Sequence, residues 1–324
     1  MPSQLPRLPG RANNLLTTGG PGSTNCSSST PHQLSFVSPS SSRSLSFQSN
    51  STSRATNLQT FFKQPRSQIA NMSTTIMPAT GGHNEACCNI PPVVASGYTP
   101  KGSYEQLGGL KTYVTGPAEA TKGLVMIYDA FAYVEQTLQG ADILAASDAR
   151  KYKVFMPDWF KGDPISAELF PPDTEEKQHK PEHRPHTVAA ALPDYVKALR
   201  KANPHIQELG IVGFCWGGKV VSLVTSAETN PFTIAAVAHP AMVDPSEADK
   251  ISVPYILLAS QEEPVDTVKE FQDNLRVSNH VEMFSDQVHG WMAARGDLSN
   301  PRVREQYIRG YRTILQFFRE HWGS

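Results

Sequence analysis

Residues 211–219 read IVGFCWGGK, an apolar run that meets a cysteine standing between glycines. Gly213-Phe214-Cys215-Trp216-Gly217 fits a G-x-nucleophile-x-G turn. In such a turn the nucleophile is strained, and the flanking glycines remove Cβ atoms that would collide with the neighbouring strand and helix. The alternative is a buried structural cysteine. Context favours the nucleophile: ELGIVGF before Cys215 reads as an apolar strand and GKVVSLVTSAE after it as a helix.

The alternation extends both ways along the chain. Upstream, YEQLGG and LKTYVTGP are two short alternating runs around Gly108 and Gly109, which suits a hairpin at a sheet edge. GLVMIYDA (123–130) is nearly continuously apolar, QGADILAASDARK has helical period, and YKVFMPDWF (152–160) is strand-like again. Strand, helix and strand with short joins imply a βαβ unit and a parallel sheet. TVAAALPDYVKALRKA is helical text interrupted or started near Pro193. Beyond the elbow, FTIAAVAHP and ISVPYILLAS read as strands, TVKEFQDNLRV as a helix and NHVEMFSD as a short strand. In the last segment Val303, Tyr307, Ile308, Tyr311, Ile314, Leu315 and Phe318 recur at helical spacing, so an amphipathic helix is expected to dock on the sheet with Pro301 in its first turn. The predicted class is α/β, a mostly parallel central sheet flanked by helices on both faces.

Not one acidic residue precedes Glu85, and basic residues from Arg7 to Arg66 punctuate text dominated by Ser, Thr, Pro, Asn and Gln. Such a segment buries too little apolar surface to offset its ordering entropy, so residues 1–80 are expected to be a disordered extension and residues 81–324 the folded domain. The extension has the composition of a transit peptide; the alternatives are a low-complexity extension without an address, or an upstream start, since Met72 opens MSTT just ahead of the folded part. The four cysteines suggest no disulfide framework, and a reducing compartment follows: cytoplasmic, with a mitochondrial address as the alternative. Cys87 and Cys88 are adjacent, so a bridge between them would be strained. A formal net charge of -1 supplies no basic footprint for nucleic acid or an anionic membrane, and no apolar run approaches the ~18 residues of a spanning helix. Residues 161–186 are expected to form a lid or insertion, because prolines and charges there break any sustained period. The same prolines leave His179, His183 and His186 without a common helix, so no metal is expected.

A nucleophilic thiol needs a base that an acid orients, and in this fold the chain order is nucleophile, acid, His. His289, in DQVHGWM, follows a short strand and precedes the last helix, the slot such a base occupies; its alternative is a residue that merely closes a loop. The acid is expected in the loop after VPYILLAS, where Glu262, Glu263 and Asp266 compete.

With these residues in place, 86–322 resemble the dienelactone hydrolase family, most closely its fungal branch. ACCNIPPV, GLKTYVTGP, LQGADILA, VFMPDWF, GFCWGG, VAHP and DQVHGW all stand in family order. The resemblance implies one α/β-hydrolase domain whose Cys, acid and His open enol-lactones such as carboxymethylenebutenolides. By position it implies Cys215 as nucleophile, His289 as base and Glu262 as acid where the family usually has Asp, with Glu263 the next choice. Asp129-Ala130-Phe131-Ala132 stands where the family has an acidic residue, an apolar one, Phe and Gly; the resemblance implies that this carboxylate holds or takes the thiol proton, and the alternative for Asp129 is that it caps the following turn. Ala132 would be strained if φ > 0 were required. The backbone N–H groups of Trp216 and Ala130 are the nominated oxyanion donors. Trp216 either walls the acyl pocket or packs against the sheet, and Lys161 and Arg295 loosely match the family's carboxylate-binding arginines.

The expected function is therefore hydrolysis of an enol-lactone or small activated ester through a thioester on Cys215, with no metal or organic cofactor and a small molecule as the partner. A broader carboxylesterase or thioesterase is one alternative, and a binding or redox-responsive protein with an inert elbow is another. The residues leave open whether the protein is a monomer or homodimer.

Overall fold

A computed structural model describes residues 97–146, 151–169 and 180–322. The readings of the N-terminal extension, the Cys87–Cys88 pair, His179 and the middle of the 161–186 segment lie outside these residues.

The strands are β1 (Ser103–Leu107), β2 (Leu110–Thr115), β3 (Lys122–Ile127), β4 (Lys153–Pro157), β5 (Glu208–Phe214), β6 (Ile234–Ala238), β7 (Tyr255–Ser260) and β8 (Asn279–Phe284). They form one sheet in the order β1-β2-β4-β3-β5-β6-β7-β8. The β1/β2 and β2/β4 pairs are antiparallel and the others parallel. Gly108 and Gly109, at φ 58° and 80°, join β1 to β2. Two successive positive φ values are what a two-residue hairpin turn requires, and glycine adopts them without a Cβ penalty. β6 and β7 are buried along their whole length, which is why they read as unbroken apolar runs, whereas β1 at the edge is mostly exposed.

Among the described residues the α-helices are α1 (Glu135–Ala146), α2 (Pro185–Ala202), α3 (Trp216–Thr225), α4 (Pro245–Ala248), α5 (Val265–Asn274) and α6 (Pro301–His321). The β3-α1-β4 crossover steps one way along the sheet and β5-α3-β6 the other. Right-handed connections therefore place α1 and α3 on opposite faces. α1 packs on α6, and α2 on α3. Asn300 caps α6 by accepting from the backbone N–H groups of Arg302 and Val303, with Pro301 next in line.

Two expectations about helices need correction. α2 runs through Pro193 instead of starting or breaking there, because Leu192, Tyr195, Val196 and Leu199 bury one stripe on both sides of it. In α6, Tyr307, Tyr311, Ile314, Leu315 and Phe318 are buried as expected, but Ile308 is 44% exposed and Phe317 is buried instead.

The reversal of direction in strand order falls between β3 and β5, the place where open α/β sheets form a crevice beyond the carboxyl ends of their strands. The Asp129–Ala132 turn follows β3 and Cys215 follows β5, so the sheet itself brings these two segments together.

Candidate active site

Cys215 sits between β5 and α3 at φ 50° and ψ −113°, the strained conformation that the elbow reading required. Its backbone N–H donates to the Ala238 carbonyl at 3.2 Å. The helix starts so close to β3 that a Cβ on Gly217 would lie 2.4 Å from the Ile127 carbonyl oxygen, and one on Gly213 would lie 2.4 Å from that of Gly217. Both glycines are therefore conditions for the turn.

The sheet carries the other groups to the same end. His289 lies in the loop after β8, is buried, and hydrogen-bonds the Cys215 thiol. Its Nδ1 is 2.5 Å from Oε1 of Glu263, in the loop after β7. The carboxylate on the imidazole is thus that of Glu263 and not that of Glu262, which had been expected there. Glu263 is buried and held from behind: Ser260 Oγ donates to Oε1 at 3.0 Å, and the Ser260 backbone N–H donates to Oε2. Glu262 turns elsewhere. Its Oε2 accepts the His289 backbone N–H at 2.7 Å and pairs with Arg295 Nη1 at 3.3 Å.

Burial, the largest influence, pulls the His289 imidazole down, but the adjoining Cys215 and Glu263 charges and hydrogen bonds outweigh it and raise it from 6.5 to about 10. Asp129 lines the same cavity as the thiol. Burial, then the proximity of Cys215, pushes its carboxyl up from 3.8 to about 7, against the pull of its two N–H donors and of His289. Those donors are the backbone N–H groups of Phe131 at 2.9 Å and Ala294 at 3.0 Å. Asp129 therefore combines the two expected placements, beside the thiol and at the head of a turn. Ala132 closes that turn at φ 61°, the left-handed region in which a Cβ is unfavourable.

Asp129, Ala130, Phe131, Cys215, His289, Gly290 and Arg295 line a cavity of about 10 Å³ at the thiol. That is room for about one water molecule. Trp216 is absent from this lining: its Nε1–H donates to the His183 carbonyl at 2.8 Å and its ring meets Phe160 at 4.8 Å, so its side chain ties α3 to the 161–186 segment. Lys161 also lies away from the thiol, lining a separate cavity of about 370 Å³ with Trp159 and Tyr195. His183 Nε2 contacts the Asp163 carbonyl at 2.8 Å, and His186 is exposed.

Sequence reasoning passed over two contributors. His239, in VAHP after β6, is fully buried, stands at φ 38°, and meets the His289 ring edge-on at 5.2 Å. Burial, and next the charge on His289, hold it well below 6.5, so a neutral ring backs the imidazole. Its signal was a histidine at the carboxyl end of a buried strand. Ser260, the last residue of β7, offered less: a serine ending a strand has many uses.

The Dienelactone hydrolase family model matches residues 110–322. An uncharacterised AIM2 family protein of Schizosaccharomyces pombe is 34% identical over 248 residues, covering 72% of this chain and 98% of its own. The carboxymethylenebutenolidase homolog of Rattus norvegicus is 25% identical over 239 residues, covering 69% of this chain and 93% of its own. Among solved structures, the dienelactone hydrolase of Anabaena variabilis superposes with a TM-score of 0.51 at 13% identity, covering 68% of this chain and 96% of that one, a likeness of fold. With its elbow, its eight-stranded sheet and a family match across nearly all the described residues, the chain belongs to the dienelactone hydrolase family and is an α/β-hydrolase.

Proposed function

We propose that this hydrolase cleaves small lactones or activated esters with Cys215 as nucleophile, His289 as base and Glu263 as the acid that orients it. The observation that carries the reading is the hydrogen-bonded line from Glu263 through His289 to a thiol on a strained elbow. The Glu263 carboxylate on Nδ1 favours the protonated imidazole, and an imidazolium can stabilise a thiolate beside it.

The thiolate sulfur attacks the carbonyl carbon, and the electron pair moves to oxygen. The backbone N–H groups of Trp216 and Ala130 are the proposed hydrogen-bond donors to that oxygen, since Trp216 opens α3 and Ala130 lines the thiol cavity. His289 gives its proton to the departing oxygen as the carbon–oxygen bond breaks, leaving a thioester. His289 then removes a proton from water, which attacks the thioester and returns the thiolate with its imidazolium partner. Asp129 serves as a second proton site next to the sulfur, and Glu263 keeps the ring in one tautomer.

The test is hydrolysis of p-nitrophenyl acetate and of an enol-lactone by the full chain and by Cys215→Ala. The expected outcome is turnover by the chain and a loss on the order of 10⁴-fold in the variant. Retained activity in the variant, or no turnover of either compound by the chain, overturns the reading.

A further inference from the structure

We infer that Glu262 sets the substrate class: by occupying Arg295 it makes the thiol pocket select acyl groups that carry no carboxylate. The inference rests on the proposed function above and narrows it to uncharged esters and lactones.

Apart from His289, Arg295 is the one cationic side chain among the described residues lining the cavity at Cys215. Its side chain is 2% exposed, and its backbone N–H donates to the Gly290 carbonyl at 3.2 Å, which anchors it in the loop of the base. A buried guanidinium beside a nucleophile is a ready receptor for a substrate carboxylate. Here a carboxylate of the chain already holds its Nη1 edge. Oε2 of Glu262 is fixed from two sides, by Arg295 Nη1 at 3.3 Å and by the His289 N–H at 2.7 Å. A carboxylate arriving at Nη1 would have to displace it and leave it without that cation, a large cost for a partly buried charge.

Among the described residues, the other groups at the site add no further cation for such a substrate. Asp129 lines the same cavity, and Glu263 stands behind the imidazole. The carboxylates of Glu262 and Glu263 are matched by Arg295 and the imidazole, so each of the two cations is already paired. Lys161, the other cation expected to receive a carboxylate, lines other cavities. A neutral acyl group meets none of these penalties. Glu262 thus acts through Arg295 and the backbone of His289, as a specificity residue that does not touch the reacting atoms.

The experiment compares kcat/KM for p-nitrophenyl hydrogen adipate and for its methyl ester, two substrates that differ in one charge. They are assayed with the full chain, with Glu262→Gln and with Glu262→Gln/Arg295→Met. The chain is expected to favour the methyl ester by about tenfold or more, the worth of one charge-assisted hydrogen bond. Glu262→Gln is expected to raise the acid-to-ester ratio by about tenfold or more, and Arg295→Met added to it to abolish that rise. The ratio is read within one protein, so a general loss of activity leaves it unmoved. If the intact chain takes both substrates equally, or if Glu262→Gln slows both in the same proportion, Glu262 is a structural clip and the inference fails while the proposed function stands. If the chain turns over p-nitrophenyl acetate but neither adipate ester, the inference fails while the proposed function stands; if it turns over none of the three, the proposed function fails and the inference with it.

Discussion

Glu262 and Glu263 are neighbours with the same side chain, yet the fold gives them opposite tasks. Glu263 is buried under the imidazole and takes both donors of Ser260, whereas Glu262 is drawn to Arg295 and the backbone of His289. Successive residues in an extended or turning segment point apart, so only one of the pair can reach Nδ1. Replacing Glu263 with Gln removes the anion that helps raise His289, so the imidazole should titrate below about 10. Catalysis should fall by roughly 10³ to 10⁴-fold, as expected when an imidazole loses its orienting carboxylate. A pH–rate profile of the variant checks both effects; an unchanged alkaline limb would show that the charge of Glu263 does not set the imidazole. Ala132 shows a balance at the same scale. Its φ of 61° is costly for a residue with a Cβ, but that methyl is buried in the core, and the two effects are each about 1 kcal/mol.

Among the elements, α2 shows tertiary packing overriding local propensity. Pro193 cannot donate to the Ala189 carbonyl four residues back, and an interior proline costs a helix about 3 kcal/mol. The helix persists because its buried stripe lies against α3 and the Leu110 side of the sheet: Tyr195 meets Trp159 at 5.5 Å, and its hydroxyl is 3.2 Å from that of Thr112. Pro193→Ala restores the missing donor on a partly exposed position. It should stabilise the protein by about 1 to 3 kcal/mol, a rise in Tm of roughly 2–4 °C per kcal/mol, measured by thermal unfolding. A lower Tm would mean that the bend at Pro193 is required by the packing. The elbow is the opposite case, where a local requirement and the tertiary one agree: glycines on both sides of Cys215 suit the turn and clear the end of β3.

For the whole molecule, buried charge fixes how stability changes with pH. Asp129 is raised from 3.8 to about 7, so its contribution is fully present below 3.8 and is lost as pH rises towards 7. His289 is raised from 6.5 to about 10, so its contribution is fully present below 6.5 and is lost between there and 10. Both groups therefore lower stability with rising pH, in successive windows. Asp129→Asn removes the first. The difference in Tm between variant and parent should move in favour of the variant from pH 4 to 7 and level off above that; a difference independent of pH would mean that Asp129 keeps an ordinary carboxyl pKa in the fold.

Much of this was legible along the chain because it is written in local patterns. Apolar runs marked the buried parallel strands, Gly108 and Gly109 marked the hairpin, and the glycines around Cys215 marked the elbow, each through sterics or burial acting within a few residues. The order of nucleophile, acid loop and histidine was legible for the same reason, since each follows a recognisable strand. What the sequence could not decide was contact between segments distant along the chain. Which glutamate meets His289, that Arg295 pairs with Glu262 and that His239 backs the imidazole all depend on how the loops after β6, β7 and β8 converge, and that Lys161 lies in another cavity depends on the course of the loop after β4. Carboxylates at adjacent positions have the same chemistry and the same local propensity. Only the packed sheet, by fixing where each loop leaves its strand, gives them different partners.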